Sequence, residues 1–241
     1  MPTLFLISTP IGNMEDITHR AVRVLGEVPV LACEDTRHTR FIFERYGIAW
    51  PQTVLSYHEH NQEQAGRRIL DLLAGGQNVA LCTDAGTPGL SDPGFRVVRD
   101  ALAAGHAVDL IPGPSAITHA IVVSGLSTAS FTFKGFPPKK PGPRRRFLEA
   151  DRNSVHTLVL YESPFRVATL LREALEVFGD RHAAVCIELT KKFERVSRGL
   201  VSELLSQFEG KDVKGEVTVV VAGRTRKDEI VDAPEPETET E

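Results

Sequence analysis

Short β-branched runs alternate with longer helical runs along almost the whole chain. That alternation confines it to parallel βαβ units with helices packed over a sheet. LFLIST (4–9) reads as a strand, DITHRAVRVLGEV as a helix and VLACED as the second strand. TRHTRFIFERYGI is helical, TVLSYHEHN is strand-like, and EQAGRRILDLLAGG is a helix that ends on glycine. NVALCTD, the helix PGFRVVRDALAAG and the strand AVDLIPGPS complete this series, followed by the apolar helical run SAITHAIVVSG.

FTFKGF and the stretch PPKKPGPRRR (137–146) separate this series from a second one, and the latter stretch reads as the least structured internal segment. The second series runs HTLVLYES, the helix PFRVATLLREALEVFG, HAAVCIELT, a helix around LVSELLSQF, and GEVTVVVAG. Two α/β domains are therefore expected, 1–115 with a mostly parallel sheet and 116–225 with a mixed one. No fixed-period repeat of the solenoid kind is present.

The net charge of −4 over 241 residues hides an asymmetry. Residues 226–241, RKDEIVDAPEPETETE, carry seven acids against two bases, which leaves 26 bases and 25 acids in the rest. With almost nothing apolar to bury, this tail is expected to be disordered. A near-neutral body with local clusters of bases is compatible with an anionic partner. Cys33, Cys82 and Cys186 each lie in or beside an apolar strand-like run and read as buried thiols rather than a disulfide framework. No apolar run approaches the roughly 18–20 residues of a membrane span. MPTLFLISTPIGN lacks the basic n-region of a secretion signal, so a cytoplasmic location is expected.

In open α/β sheets, ligands collect outside the carboxyl ends of the strands. Those ends read STPIGNMEDIT, CEDTRHTR, YHEHN, TDAGTPGLSDPG and PGPSA in the first series, and LYESPFR, IELTKK and KGE in the second. TDAGTPGLSDPG (83–94) holds three glycines and two prolines, and it is long beside the usual connection of about 2–6 residues. Isolated glycines and prolines merely punctuate turns. Several such loops together make a binding site whose small residues admit a ligand to the backbone. GxxxxGK[ST] and GxGxxG are both absent, and no lysine or arginine in these loops is placed for a triphosphate. A ligand held by backbone groups and small hydroxyls fits better, with a neutral adenosine end and a zwitterionic end.

In this order STPIGNMEDITHRAVRVL, CEDTRHTR, SYHEHN, DAGTPGLSDPG, PGPSA, YESPFR and ELTKKFE resemble the tetrapyrrole-methylase superfamily, over roughly residues 3–223. Its tetrapyrrole enzymes tend to open with a GxGPGD-type loop and to carry GGDP after the fourth strand. TPIGN and GTP stand here instead, which favours the branch that methylates ribosomal RNA. The resemblance implies S-adenosylmethionine folded into a cleft between the two domains, usually in a homodimer. It implies 2′-O-ribose methylation of a cytidine in small-subunit (16S) rRNA, with the assembled small ribosomal subunit as the expected partner. The cofactor contacts it implies are Pro10, Ile11, Asp84, Gly86, Thr87, Leu90, Ser115 and Ala116, then Tyr161, Glu162 and Leu189.

Methyl transfer from a sulfonium to a hydroxyl is an in-line displacement, in which positioning supplies up to roughly 7–11 kcal/mol. A ribose hydroxyl is a poor nucleophile, so a proton acceptor helps. Glu34, Asp35, His58, His60, Glu188 and Lys191 all sit at strand ends. Asp35 and Lys191 are carried forward as catalytic; Lys191, were its pKa lowered by burial, would act as base or orient the hydroxyl. Asp35 equally suits the N-cap of the helix behind it, and Glu188 an ion pair. His58 and His60 would share a strand face, but without a third ligand at zinc-like spacing no metal is expected.

KGFPPKKPGPRRR (134–146) holds six bases and no acid. Lys139, Lys140, Arg144, Arg145 and Arg146 are expected to meet RNA phosphates, with Arg37 and Lys192 extending the positive surface. No aromatic single-strand platform of the RRM type is visible, so recognition by shape and an extruded nucleotide is expected. A tetrapyrrole methylase on the same scaffold and a noncatalytic RNA-binding factor are the rival readings.

Overall fold

In the computed structural model, which describes residues 1–225, the chain divides into two units, Met1–Ala116 and the residues from Ile117 onward. The acidic stretch 226–241, expected to be disordered, lies outside the described residues.

The first unit runs β1 (Thr3–Ile7), α1 (His19–Glu27), β2 (Val30–Cys33), α2 (Thr36–Arg45), β3 (Thr53–Ser56), α3 (Gln62–Ala74), β4 (Val79–Cys82), α4 (Phe95–Ala103) and β5 (Ala107–Ile111). Its five strands lie in the order β3-β2-β4-β1-β5, and every pairing is parallel. β2 and β4 read VLAC and VALC, buried throughout, because helices cover both faces of the sheet. Alternate residues point to opposite faces. Ile7, Leu31, Cys33, Ala80 and Cys82 pack with α1 and α2, whereas Leu4, Leu6, Val30, Ala32, Val79 and Leu81 pack with α3 and α4. Right-handed crossovers require this division: the chain moves toward β3 through α1 and α2 and returns through α3 and α4. Thr18 starts α1, its hydroxyl accepting the Ala21 N–H at 3.1 Å.

After α5 (Ala116–Ser124) the second unit runs β6 (Phe131–Gly135), α6 (Pro141–Glu149), β7 (Thr157–Glu162), α7 (Val167–Phe178), β8 (His182–Ile187), β9 (Arg195–Leu200), α8 (Val201–Phe208) and β10 (Val217–Val221). The sheet order is β6-β7-β10-β8-β9. β6 and β7 are parallel and the other pairings antiparallel, so the sheet is mixed, as the sequence suggested. α7 and α8 cover one face of it, with Leu148 of α6 completing their apolar layer.

Two elements depart from the sequence reading. The stretch 137–146 is helical from Pro141 onward, because Pro141 and Pro143 fall in a first turn whose N–H groups have no helical acceptor. β9, RVSRGL, carries no apolar run; among the described residues it is an edge strand paired only with β8. Among the described residues no helix is long and apolar enough to cross a membrane.

Cys33 and Cys82 are register partners in β2 and β4, and both, like Cys186 in β8, are fully buried. Burial raises all three thiols, Cys186 to about 12. At about pH 8 a thiol reagent should therefore leave the native chain untouched and titrate three thiols after denaturation. Fast reaction of any one of them in the native chain would contradict this packing.

Candidate functional site

β1 and β4 lie side by side, yet their following helices cover opposite faces of the sheet. Such a reversal is where an open α/β sheet presents a ligand site. Here the two strand-end loops are clasped together. Thr9 N–H donates to the Gly86 carbonyl at 2.9 Å, and Gly86 N–H donates back to Thr9 at 3.1 Å. The Ser8 and Thr87 hydroxyls are 3.0 Å apart, and the Thr9 hydroxyl donates to the Thr83 carbonyl at 3.2 Å. The loop after β4 also folds on itself. Gly89 N–H bonds Pro93 at 3.2 Å, and a Cβ on Gly94 (φ 150°) would lie 2.8 Å from the Gly89 nitrogen. The loop after β5 packs as closely, since a Cβ on Gly113 would lie 2.8 Å from that of Ser8. Pro10, Ile11 and Gly86 are buried here, Asp84, Thr87, Ser115 and Ala116 half-buried, and Leu90 exposed.

The ends of β2 and β4 bring three carboxylates together. Asp35 N–H donates to Asp84 at 3.1 Å and Asp84 N–H to Glu34 at 3.4 Å. Asp35 is the N-cap of α2, accepting the Arg37 N–H at 2.8 Å and the Arg37 guanidinium at 2.6 Å. These bonds from Arg37 hold its carboxyl well below the usual carboxylate range, which makes it a poor proton acceptor. Burial pushes Glu34 the other way, upward. β3 ends at Ser56, so His58 and His60 lie in a turn and not on one strand face; Asn61 accepts the His58 N–H at 2.8 Å. Among the described residues no group of three His, Cys, Asp or Glu is placed to hold a metal ion.

In the second unit, β7 and β8 end where β10 begins. The buried Glu162 carboxylate takes the Ser163 N–H at 2.7 Å and pairs with Arg166 through one oxygen; its other oxygen is buried without a partner. Glu188 (φ 54°) and Thr190 (φ 66°) adopt the left-handed conformation that non-glycine residues avoid, around the buried Leu189. Lys191 Nζ donates to Glu188 at 2.9 Å and to Glu216 at 3.0 Å, while Glu216 N–H donates to Glu188 at 2.8 Å. A Cβ on Gly215 would run into the Glu188 side chain. Burial alone pulls the Lys191 ammonium down, but its bonds to Glu188 and Glu216 outweigh that and hold it above the ordinary lysine value. The lowered pKa that a base at Lys191 requires is therefore absent: Lys191 is an ammonium, held by two carboxylates.

The basic residues divide sharply. Arg144 is 4% exposed, bidentate on Glu173 at 2.6 and 2.7 Å, and donates to the Lys139 carbonyl at 2.9 Å. It braces α6 against α7 and offers no face to a phosphate. Arg145 pairs with Glu149 at 2.9 Å and Glu176 at 3.0 Å. Lys139, Lys140, Arg146 and Lys192 are exposed.

A raised lysine contributes stability that is present below its unfolded value and is lost as pH rises through the folded one. Lys191→Met should therefore lower the melting temperature at about pH 8, and as the pH is raised from there its deficit should shrink only above the ordinary lysine pKa of 10.5. A deficit that closes well below that pH would show that Lys191 is not held charged.

The family model for Tetrapyrrole (Corrin/Porphyrin) Methylases matches residues 3–205. A protein named Ribosomal RNA small subunit methyltransferase I from Thermotoga maritima is 43% identical over 224 residues, 93% of this chain and 100% of that one. Its namesake from Mesorhizobium japonicum is 45% identical over 234 residues, 96% of this chain and 79% of that one. Among solved structures, uroporphyrin-III C-methyltransferase from Thermus thermophilus superposes with a TM-score of 0.64 at 22% identity, covering 92% of this chain and 94% of that one. A structure of that enzyme complexed with S-adenosylhomocysteine gives 0.59 at 19% identity, with 91% and 97% covered.

Proposed function

The chain belongs to the tetrapyrrole (corrin/porphyrin) methylase family, and from that premise we propose that it is an S-adenosylmethionine-dependent methyltransferase of small-subunit ribosomal RNA. The observation that carries this reading is the near-complete alignment, at 43–45% identity, with proteins named for that activity. The tetrapyrrole enzyme of the same fold reaches 22%. The finer reading is methylation of a cytidine 2′-hydroxyl, in the assembled subunit, by a cytoplasmic homodimer. It rests on the resemblance of the strand-end motifs to that family, and the TPIGN and GTP loops, which stand where tetrapyrrole enzymes carry GxGPGD and GGDP, favour its RNA branch.

The residues of the first unit fit the cofactor. Their donor set is small hydroxyls, backbone groups and the Glu34 and Asp84 carboxylates, with the Thr83 hydroxyl buried and unpartnered beside the clasp. That set suits a nucleoside joined to a cationic centre and repels a triphosphate. Pro10, Ile11, Asp84, Gly86, Thr87, Leu90, Ser115 and Ala116 would hold it from the first unit, and Tyr161, Glu162 and Leu189 are the proposed contacts in the second. When bound, S-adenosylmethionine supplies a methyl group already activated on a sulfonium. The protein's share is then positioning and removal of the hydroxyl proton. Glu34 is the strand-end carboxylate that burial makes more basic. Asp35 holds the start of α2 and Arg37, and Lys191 supplies a fixed positive charge. Arg37, Lys139, Lys140, Arg146 and Lys192 are the proposed phosphate contacts.

Small ribosomal subunits from cells lacking the enzyme, incubated with tritiated S-adenosylmethionine, should take up label in rRNA at one alkali-resistant ribose. Tetrapyrrole precursors assayed in parallel should stay unlabelled. Label in the precursors, with none in rRNA, would overturn the proposal.

A further inference from the structure

Three strands of the second unit leave its sheet at one edge. β6 is parallel to β7, and β10 is antiparallel to both β7 and β8, so β6, β7 and β8 all end there. The segments that follow carry aromatic rings into solvent: Phe136 after β6 (56% exposed), Phe165 after β7 (86%) and Phe193 after β8 (75%). Phe136 lies against Tyr161, with ring centroids 5.5 Å apart. Phe165 is fixed in a short 3-10 turn, Pro164–Arg166, anchored by the pairing of Arg166 with the buried Glu162. Lys192 Nζ stands 5.7 Å from the centre of the Phe193 ring.

The charge at this edge is positive. Four carboxylates lie here, Glu162 paired with Arg166, Glu188 and Glu216 sharing Lys191, and Glu194 accepting the Thr190 N–H at 2.6 Å, so two negative charges are left for the remaining cations to outweigh. Lys139, Lys140 and Lys192 remain exposed, with Arg195 at the start of β9.

We propose that this edge is a platform for single-stranded RNA, on which Phe165 and Phe193 stack unpaired bases while Lys139, Lys140 and Lys192 follow the phosphates. Exposed rings interleaved with lysines are what sequence-tolerant single-strand binding requires, because every unpaired base offers a face and every nucleotide a phosphate. A duplex has its base faces occupied and gains nothing from the rings. This is not a platform of the RRM type, with its rings on a sheet face: the rings follow three different strands, are far apart in sequence, and are gathered by the β6-β7-β10-β8 order. The inference rests on the reading of the chain as an RNA methyltransferase and adds how its substrate strand is held.

The test is fluorescence anisotropy with the full chain and a labelled, unstructured RNA of about 12 nucleotides, alone and annealed to its complement. The single strand should bind more tightly than the duplex. Phe165→Ala and Phe193→Ala should each weaken single-strand binding about tenfold and leave duplex binding unchanged. Phe193→Tyr should keep the wild-type affinity, and Lys192→Ala should reduce the salt slope by about one. A double alanine variant that binds the single strand like wild type overturns the platform. So does a double variant that sediments as a monomer where wild type is a dimer while RNA affinity stays intact, since the rings then belong to a second copy. Methyl transfer to small subunits by the same preparations separates the two levels. Wild-type transfer with an unimpaired double variant sinks the platform alone, whereas no wild-type transfer sinks the RNA reading and the platform with it.

Discussion

Two backbone hydrogen bonds, Thr9 to Gly86 and Gly86 to Thr9, carry more of this structure than their strength suggests. At about 0.5–1.5 kcal/mol net for each bond, the pair contributes no more than about 3 kcal/mol. The loop from Thr83 to Gly94 is twelve residues long, and each residue loses backbone freedom when it is ordered. The clasp alone therefore cannot hold the loop. Pro88 and Pro93 reduce the freedom the unfolded loop has to lose. The Ser8–Thr87 and Gly89–Pro93 hydrogen bonds tie the loop down further, and the absence of a side chain at Gly94 lets its backbone pass close to Gly89. The result is a stiff loop at the point where the sheet reverses its winding.

A different device shapes the end of the second sheet. Glu188 stands in a left-handed conformation that costs of order 1–3 kcal/mol. Reciprocal bonds with Glu216 and the Lys191 ammonium offset that cost, and they need Gly215 to be without a side chain. Strain of this kind persists where the surroundings over-determine a geometry, and here the geometry fixed is the position of Lys191. The neighbouring carboxylates make that lysine a constant charge rather than a base. Of the two carboxylates at the end of β2, Asp35 is held low by Arg37, and Glu34 is pushed upward by burial.

Much of this was legible from residue order. The uniform apolar runs VLAC and VALC announced strands covered on both faces, and the Gly- and Pro-rich stretches marked the strand ends where the loops are clasped. Misreadings came where one residue type serves two physical purposes. Pro141 and Pro143 are loop residues by composition but first-turn helix residues by position. Arg144 looks like its neighbours Arg145 and Arg146, and only the packing of α6 on α7 turns it inward to Glu173. The Lys191 shift comes from Glu188, three residues before it, and from Glu216, 25 residues away, which no local motif connects to it. The aromatic edge was hidden for the same reason, since strand order, not spacing, collects Phe136, Phe165 and Phe193.

The central claim is that the clasped loops of the first unit hold S-adenosylmethionine through their backbone. Hydrogen exchange of the full chain, with and without saturating S-adenosylhomocysteine, tests it most directly. The account predicts slower exchange at Ile11 and from Asp84 to Leu90, the segments on either side of the Thr9–Gly86 pair. Unchanged exchange in both segments, with binding established by calorimetry on the same sample, would contradict it.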